Sequence, residues 1–221
     1  MRAARPAGSR RGGHRQRQPF PSLGPSRDDG QAGLTLEIYL ARHGETEWSL
    51  GGKHTGRTDL PLTTRGEEKA QALRGRLEGI HFDVVYSSPL QRALRTAHLA
   101  GFATPTITSL LEEADYGQYE GLTSGQIHET NPGWELYHDG SPGGESPAQL
   151  YARAQRFIDL VDTGGNARLI AFSHGHILRA IAVAWINADI TVAAGLQLDV
   201  ATLSILRDSD HGRLIALWNA P

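Results

Sequence analysis

From Leu34 onward the chain alternates between two hydrophobic periods. Leu36-Glu37-Ile38-Tyr39-Leu40 is a short apolar run that predicts a buried strand, followed by a long polar loop over 42–62. Thr64-Arg65-Gly66-Glu67 has the form of a capping box and predicts a helix to about Leu77. Phe82–Tyr86 predicts a second strand. Ser88 as a cap and Pro89 in the first turn predict a helix to about Leu99. A short strand is expected near Pro105–Leu110. Thr123-Ser124-Gly125-Gln126 is a second capping-box pattern, and 131–145 is a loop rich in Gly and Pro. Ser146 is placed to cap a helix to about Val161. Arg168–Phe172 predicts a buried strand, Ile177–Ile186 an apolar helix, and Ala201–Leu206 and Leu214–Trp218 two late strands. Strands alternating with helices point to an α/β fold: a three-layer α/β/α sandwich with a mostly parallel central sheet.

Composition narrows this picture. A chain of 221 residues suffices for one sizeable α/β domain, expected over 34–221. There is no Cys, which excludes disulfides, thiol catalysis and thiolate metal sites and fits a cytoplasmic protein. No run of about 18 apolar residues occurs, so no membrane span is expected. Residues 1–33 read as a disordered Arg/Gly/Pro-rich tail. They hold seven Arg against Asp28 and Asp29, a balance of +5, which leaves −7 on the remainder of a chain whose net charge is −2. A mildly acidic body is poor material for general polyanion binding, so no nucleic-acid partner is expected for the folded domain.

Three polar clusters follow predicted strands: Arg42-His43, the 87–92 segment Ser-Ser-Pro-Leu-Gln-Arg, and Ser173-His174-Gly175-His176. In parallel-rich sheets ligands bind where the carboxyl ends of strands meet helix starts, so all three are expected at one edge. An imidazole can act as a nucleophile near neutral pH, and a guanidinium offers a planar fork of donors to an anion's oxygens. Gly44 permits a close approach or a sharp turn. His43, His174 and His176 also suggest a metal site, but two Arg in the shell would repel a cation. No metal and no cofactor are expected.

The segments RHGETEWS (42–49), HTGRTDLPLT (54–63), SSPLQRALRTA (87–97), EADYGQYEGLT (113–123), GGES (143–146) and FSHGHILR (172–179) together resemble the histidine phosphatase superfamily, in its phosphoglycerate-mutase-like branch. The pattern is most similar to the acid phosphatase and sedoheptulose-bisphosphatase-like members. The resemblance implies that His43 is the nucleophile that becomes phosphohistidine. It implies that Arg42, Arg92 and His174 hold the phosphoryl oxygens and that Glu113, rather than adjacent Glu112, is the proton donor. Burial and neighbouring acids are expected to raise the Glu113 pKa. Ser49, Thr55 and Gly56 resemble substrate-binding positions, with Ser49 replacing the Asn of the mutases. Tyr116, Gly175 and His176 are assigned to the same shell at the mouth. Lys53 and Arg57 read either as contacts for a second phosphate or as solvated loop charges. Trp134, Trp185 and Trp218 read as packing residues, and Trp48 as a brace for its loop.

The implied activity is metal-independent hydrolysis of a small phosphorylated metabolite, with sugar phosphates and bisphosphates as candidates. The alternatives are a phosphoglycerate mutase-type transferase and a non-catalytic binding module. Glu113 to His174 lacks a long basic insertion of the kind that closes over a mutase intermediate, which favours hydrolysis. A homodimer is compatible with this reading.

Overall fold

The computed structural model describes residues 36–165 and 167–221; the segment 1–33 expected to be disordered lies outside them. Six strands form one sheet: β1 (Leu36–Arg42), β2 (Val84–Ser87), β3 (Thr106–Ile107), β4 (Ala167–Ser173), β5 (Leu203–Arg207) and β6 (Leu214–Ala220), in the order β3-β2-β4-β1-β5-β6. The β3, β2, β4 and β1 strands run parallel, β5 adds antiparallel beside β1, and β6 adds antiparallel beside β5. Both faces are covered. Along β1, Ile38 and Leu40 enter one core cluster while Tyr39 and Ala41 enter the other, and Leu169/Ala171 and Ile170/Phe172 divide likewise along β4. That period of two, apolar on both sides, is what a sheet buried between helix layers requires. The helices α2 (Thr64–Leu77) and α3 (Gln91–Leu99) cover one face, and α6 (Pro147–Val161) and α7 (Gly175–Trp185) the other. The expected three-layer α/β/α sandwich is the fold observed.

Two loops contain short helices that periodicity could not signal. The 42–62 loop holds α1 (Glu47–Leu50), one turn closed by a capping box between Thr46 and Ser49. The 131–145 loop holds α5 (Leu136–Asp139). The capping boxes expected for α4 (Ser124–Thr130) and α6 are present, on Thr123/Gln126 and Ser146/Gln149. The other two cap assignments need correction. The N-cap of α2 is Thr63, whose hydroxyl accepts from Gly66 N–H, and Glu67 pairs with Arg95 instead of closing a box. α3 begins at Gln91 with no side-chain cap, which releases Ser88 for another role.

Candidate active site

Strand register assembles the site. Arg42 pairs with Ser173 and Ser87 with Phe172, so the three polar clusters emerge from neighbouring strand ends. His43 N–H donates to Ser173 O at 2.9 Å and Ser88 N–H to Phe172 O at 3.0 Å. Immediately after β1 the chain bends against the start of α2. A Cβ on Gly44 would lie 2.4 Å from Gly66 O, so glycine at 44 serves backbone packing rather than ligand approach.

His43 is buried, with its ring centre 5.1 Å from that of His174. Its Nδ1 lies 2.7 Å from Gly44 O. A carbonyl only accepts, so Nδ1 carries the proton and the Nε2 lone pair is left for reaction. Burial, then the charges of Arg42 and Arg92, push its pKa down to about 3. The ring is therefore neutral and nucleophilic throughout the physiological range.

Arg92 is fully buried and mostly occupied. Its Nε–H donates to His174 Nδ1 at 3.0 Å, and its terminal nitrogens donate to the carbonyls of Thr55, Gly56 and Thr58. His174 must then carry its proton on Nε2, which donates to Ser88 Oγ at 2.8 Å. Arg42 donates through Nη1 to Leu198 O, and its guanidinium lies against Gly175, where a Cβ would be 3.3 Å from Cζ. The Arg42 Nε–H is buried with no acceptor among the described residues. The turn carrying Leu198 is held by Ala201 N–H on His43 O and by Arg42 N–H on Thr202 O. Ala201 is in the left-handed region at φ 55°, a conformation uncommon for a residue with a Cβ.

Glu113 accepts hydrogen bonds from the backbone N–H groups of Ala114, His176 and Ile177 at 2.9–3.1 Å, the last two at the N-terminus of α7. Burial acts to raise its pKa. The His176 ring 3.6 Å away, His174 and the His176 N–H act to lower it, and the net value falls well below the ordinary carboxylate. Both rings are neutral at pH 7, so the helix N–H groups carry this effect there. The expected upward shift is thus reversed: Glu113 faces helix donors and histidines, not other acids.

The surrounding shell differs from expectation in several places. Ser49 spends its hydroxyl on the α1 cap, donating to Thr46 O and accepting from Thr46 N–H. Gly56 N–H donates to the Glu120 carboxylate, which also takes Thr58 N–H. Thr55 donates to Lys53 O at 3.2 Å. Tyr116 and His176 are brought together, with Tyr116 Oη 2.6 Å from His176 Nδ1 and the His54 ring tilted against both, but Tyr116 is buried. Arg57 pairs with Asp115, and Lys53 lies over the Trp48 ring that braces the loop against Gly121. Trp134 and Trp185 are buried, and the Trp218 indole donates to Gln197 O. No group of three His, Cys, Asp or Glu side chains among the described residues is arranged to hold a metal ion.

Sequence reasoning passed over the residues that hold these parts in place. Arg153 donates to the carbonyls of Leu110, Glu112 and Glu113 and grips both Glu145 oxygens at 2.8 and 2.6 Å. Glu120 clamps the 56–58 backbone opposite Arg92. Charged residues inside Gly-rich segments were the available signal for Glu120 and Glu145; nothing in the sequence marks the Leu198–Thr202 turn.

Residues 38–221 match the histidine phosphatase superfamily (branch 1). The chain belongs to that superfamily. It is 41% identical over 179 residues to an acid phosphatase of Mycobacterium tuberculosis, covering 79% of this chain and 87% of that one. It is 31% identical over 186 residues to sedoheptulose 1,7-bisphosphatase of Saccharomyces cerevisiae, covering 69% and 68%. A solved structure of an open reading frame product from Mycobacterium tuberculosis superposes with a TM-score of 0.80 at 36% identity, covering 83% of this chain and 97% of that one. This histidine phosphatase is accordingly an enzyme, a phosphatase of the acid phosphatase kind. Among its described residues no helix is long and apolar enough to cross a membrane.

Proposed function

We propose that this histidine phosphatase hydrolyses small phosphomonoesters through a phosphohistidine on His43, without a metal. The observation that carries the reading is His43 itself: neutral, its proton held on Nδ1 by Gly44 O, and its ring under the charges of Arg42 and of the buried Arg92. Arg42 contributes the Nε–H that has no acceptor among the described residues. Arg92 keeps a remaining donor and orients His174, whose Nε2–H exchanges Ser88 for a phosphoryl oxygen. Phosphoryl transfer asks mainly for positioned charge, which these groups supply.

The Nε2 lone pair attacks phosphorus as the bond to the leaving oxygen breaks, and the alkoxide takes a proton from Glu113. Water then attacks the phosphohistidine and returns a proton to the carboxylate. Glu113 is ionised in the free enzyme. A substrate dianion beside it is a like charge and raises its proton affinity, so it becomes the acid on binding. Substrates are small phosphorylated metabolites, sugar phosphates and bisphosphates among them, met in the cytoplasm. The absence of Cys fits a reducing compartment.

The test is p-nitrophenyl phosphate hydrolysis by the full chain in EDTA, with His43→Ala alongside. Turnover should persist in EDTA and fall about a thousandfold or more in the variant. Loss of activity in EDTA, or an active His43→Ala, refutes the mechanism.

A further inference from the structure

The last strand is irregular where it passes β5. Leu203 faces Ala220 and Ile205 faces Leu217, so Ser204 of β5 stands opposite both Trp218 and Asn219 of β6. A bulge of this kind re-aims a side chain out of the regular ladder. Asn219 takes the left-handed conformation at φ 53°, which Asn reaches more readily than most residues, and its N–H donates to Ser204 Oγ at 3.0 Å.

The re-aimed amide holds Asp199 twice. Its Oδ1 accepts Asp199 N–H at 2.7 Å, and its Nδ2 donates to Asp199 Oδ2 at 3.0 Å. The adjacent Trp218 indole secures the same turn by donating to Gln197 O at 2.6 Å. Thr202 closes the turn from within, donating through Oγ1 to Asp199 O at 2.8 Å, and Gln197 donates to the Asp199 carboxylate at 3.1 Å. Between the two residues held from β6 lies Leu198, whose carbonyl accepts Arg42 Nη1. A guanidinium is planar and rigid. With Nη1 fixed on Leu198 O and Cζ seated against Gly175, the position of the turn sets the direction of the Nε–H, the donor with no acceptor among the described residues. Two left-handed residues, Ala201 and Asn219, belong to this arrangement, and such conformations persist where the surroundings over-determine them.

We infer that Asn219 is a positioning residue for the reaction: acting through the 197–202 turn, it seats the Arg42 guanidinium so that its Nε–H is presented to the phosphoryl group. The inference rests on the role given to Arg42 in the phosphohydrolase reading above.

The experiment is a double-mutant cycle in the full-length enzyme: wild type, Asn219→Gly, Arg42→Ala and the pair together, with kcat/KM measured on p-nitrophenyl phosphate. Glycine accepts the left-handed backbone without strain, so Asn219→Gly removes only the side-chain bonds. It should lower kcat/KM about tenfold to a hundredfold in the wild type, the range for misplacing one charge-assisted hydrogen bond, and by less than about twofold in Arg42→Ala. Trp218→Phe, which removes only the indole donor, should show a smaller loss with the same dependence on Arg42. A purely structural role would lower activity equally in both backgrounds. Equal losses, or an Asn219→Gly enzyme within about threefold of wild type, overturn the inference. Calorimetric binding of inorganic phosphate to the same four proteins makes the comparison without turnover: Asn219→Gly should weaken binding where Arg42 is present and not where it is absent, and any other pattern overturns the inference as well. A wild type inert toward p-nitrophenyl phosphate would instead overturn the phosphohydrolase reading, with the phosphate arm still deciding whether Asn219 acts through Arg42.

Discussion

At the residue scale, the same burial acts in opposite directions on His43 and Glu113. For the imidazole it disfavours the charged form, and two nearby guanidinium groups reinforce it. For the carboxylate it is outweighed by the His176 ring, His174 and the N–H donors from α7. Replacing Glu113 by Gln should cost about a hundredfold or more on alkyl phosphates, whose leaving oxygen needs a proton, and far less on p-nitrophenyl phosphate. Equal losses on both would remove Glu113 from the role of acid. His176 shows the consequence for stability. Burial, and then Arg179, lower its pKa from 6.5 to about 4. Between those values the unfolded chain binds the proton and the folded one does not. Stability is therefore full above pH 6.5 and erodes as pH falls toward 4. Glu113 adds a loss in the same direction below its unfolded value of 4.5. In His176→Gln, the fall in Tm between pH 6.5 and 4.5 should be visibly shallower than in the wild type; an unchanged slope would contradict the assignment.

At the scale of elements, the site depends on one residue from a distant helix holding a loop. The segment 110–113 lacks a sheet partner for its carbonyls, and Arg153 of α6 supplies one guanidinium for three of them while pairing with Glu145. Arg153→Met should destabilise the protein by about 3–5 kcal/mol, because the Glu145 carboxylate loses its partner and three carbonyls lose their donor. Denaturant titration checks this; a change below about 1 kcal/mol would show that the clamp is dispensable. Sequence patterning found α6, its Ser146 cap and its length, because caps and periodicity are local. It gave no sign of the role of Arg153, since the carbonyls it holds lie 40 to 43 positions away. The α2 and α3 starts were misread for a related reason. Thr64 and Ser88 are as suitable for capping as the residues around them, and only tertiary contacts decided that Thr63 caps and that Ser88 turns to His174.

At the scale of the whole molecule, the two core clusters keep the strand ends in register, and through them the groups of the candidate site. Phe157 is wholly buried in the larger cluster, edge-on to Tyr86 of β2 at 5.8 Å. Phe157→Ala should cost about 3–5 kcal/mol, the range for emptying an aromatic site in a packed core. Equilibrium unfolding would expose the error if the loss were within about 1 kcal/mol. Nothing of Phe157 touches substrate in the proposed mechanism, so kcat in the folded fraction should change little.

By itself the sequence determined the layers and the polar clusters on which the proposed chemistry rests. Apolar runs, caps and breakers are local signals, and they specified an α/β/α sandwich with its polar clusters after the first, second and fourth strands. Six motif segments in order identified the family and named Arg42, His43, Arg92, Glu113 and His174. Tertiary structure decided how those groups are charged and what each can still bind. Glu113 is ionised because α7 points its N-terminus at it, Arg92 is largely spent on the 55–58 loop, and Ser49 and Gly56 are committed to α1 and Glu120. Proton affinity and hydrogen-bond capacity depend on neighbours brought together across many residues, and no local pattern records them.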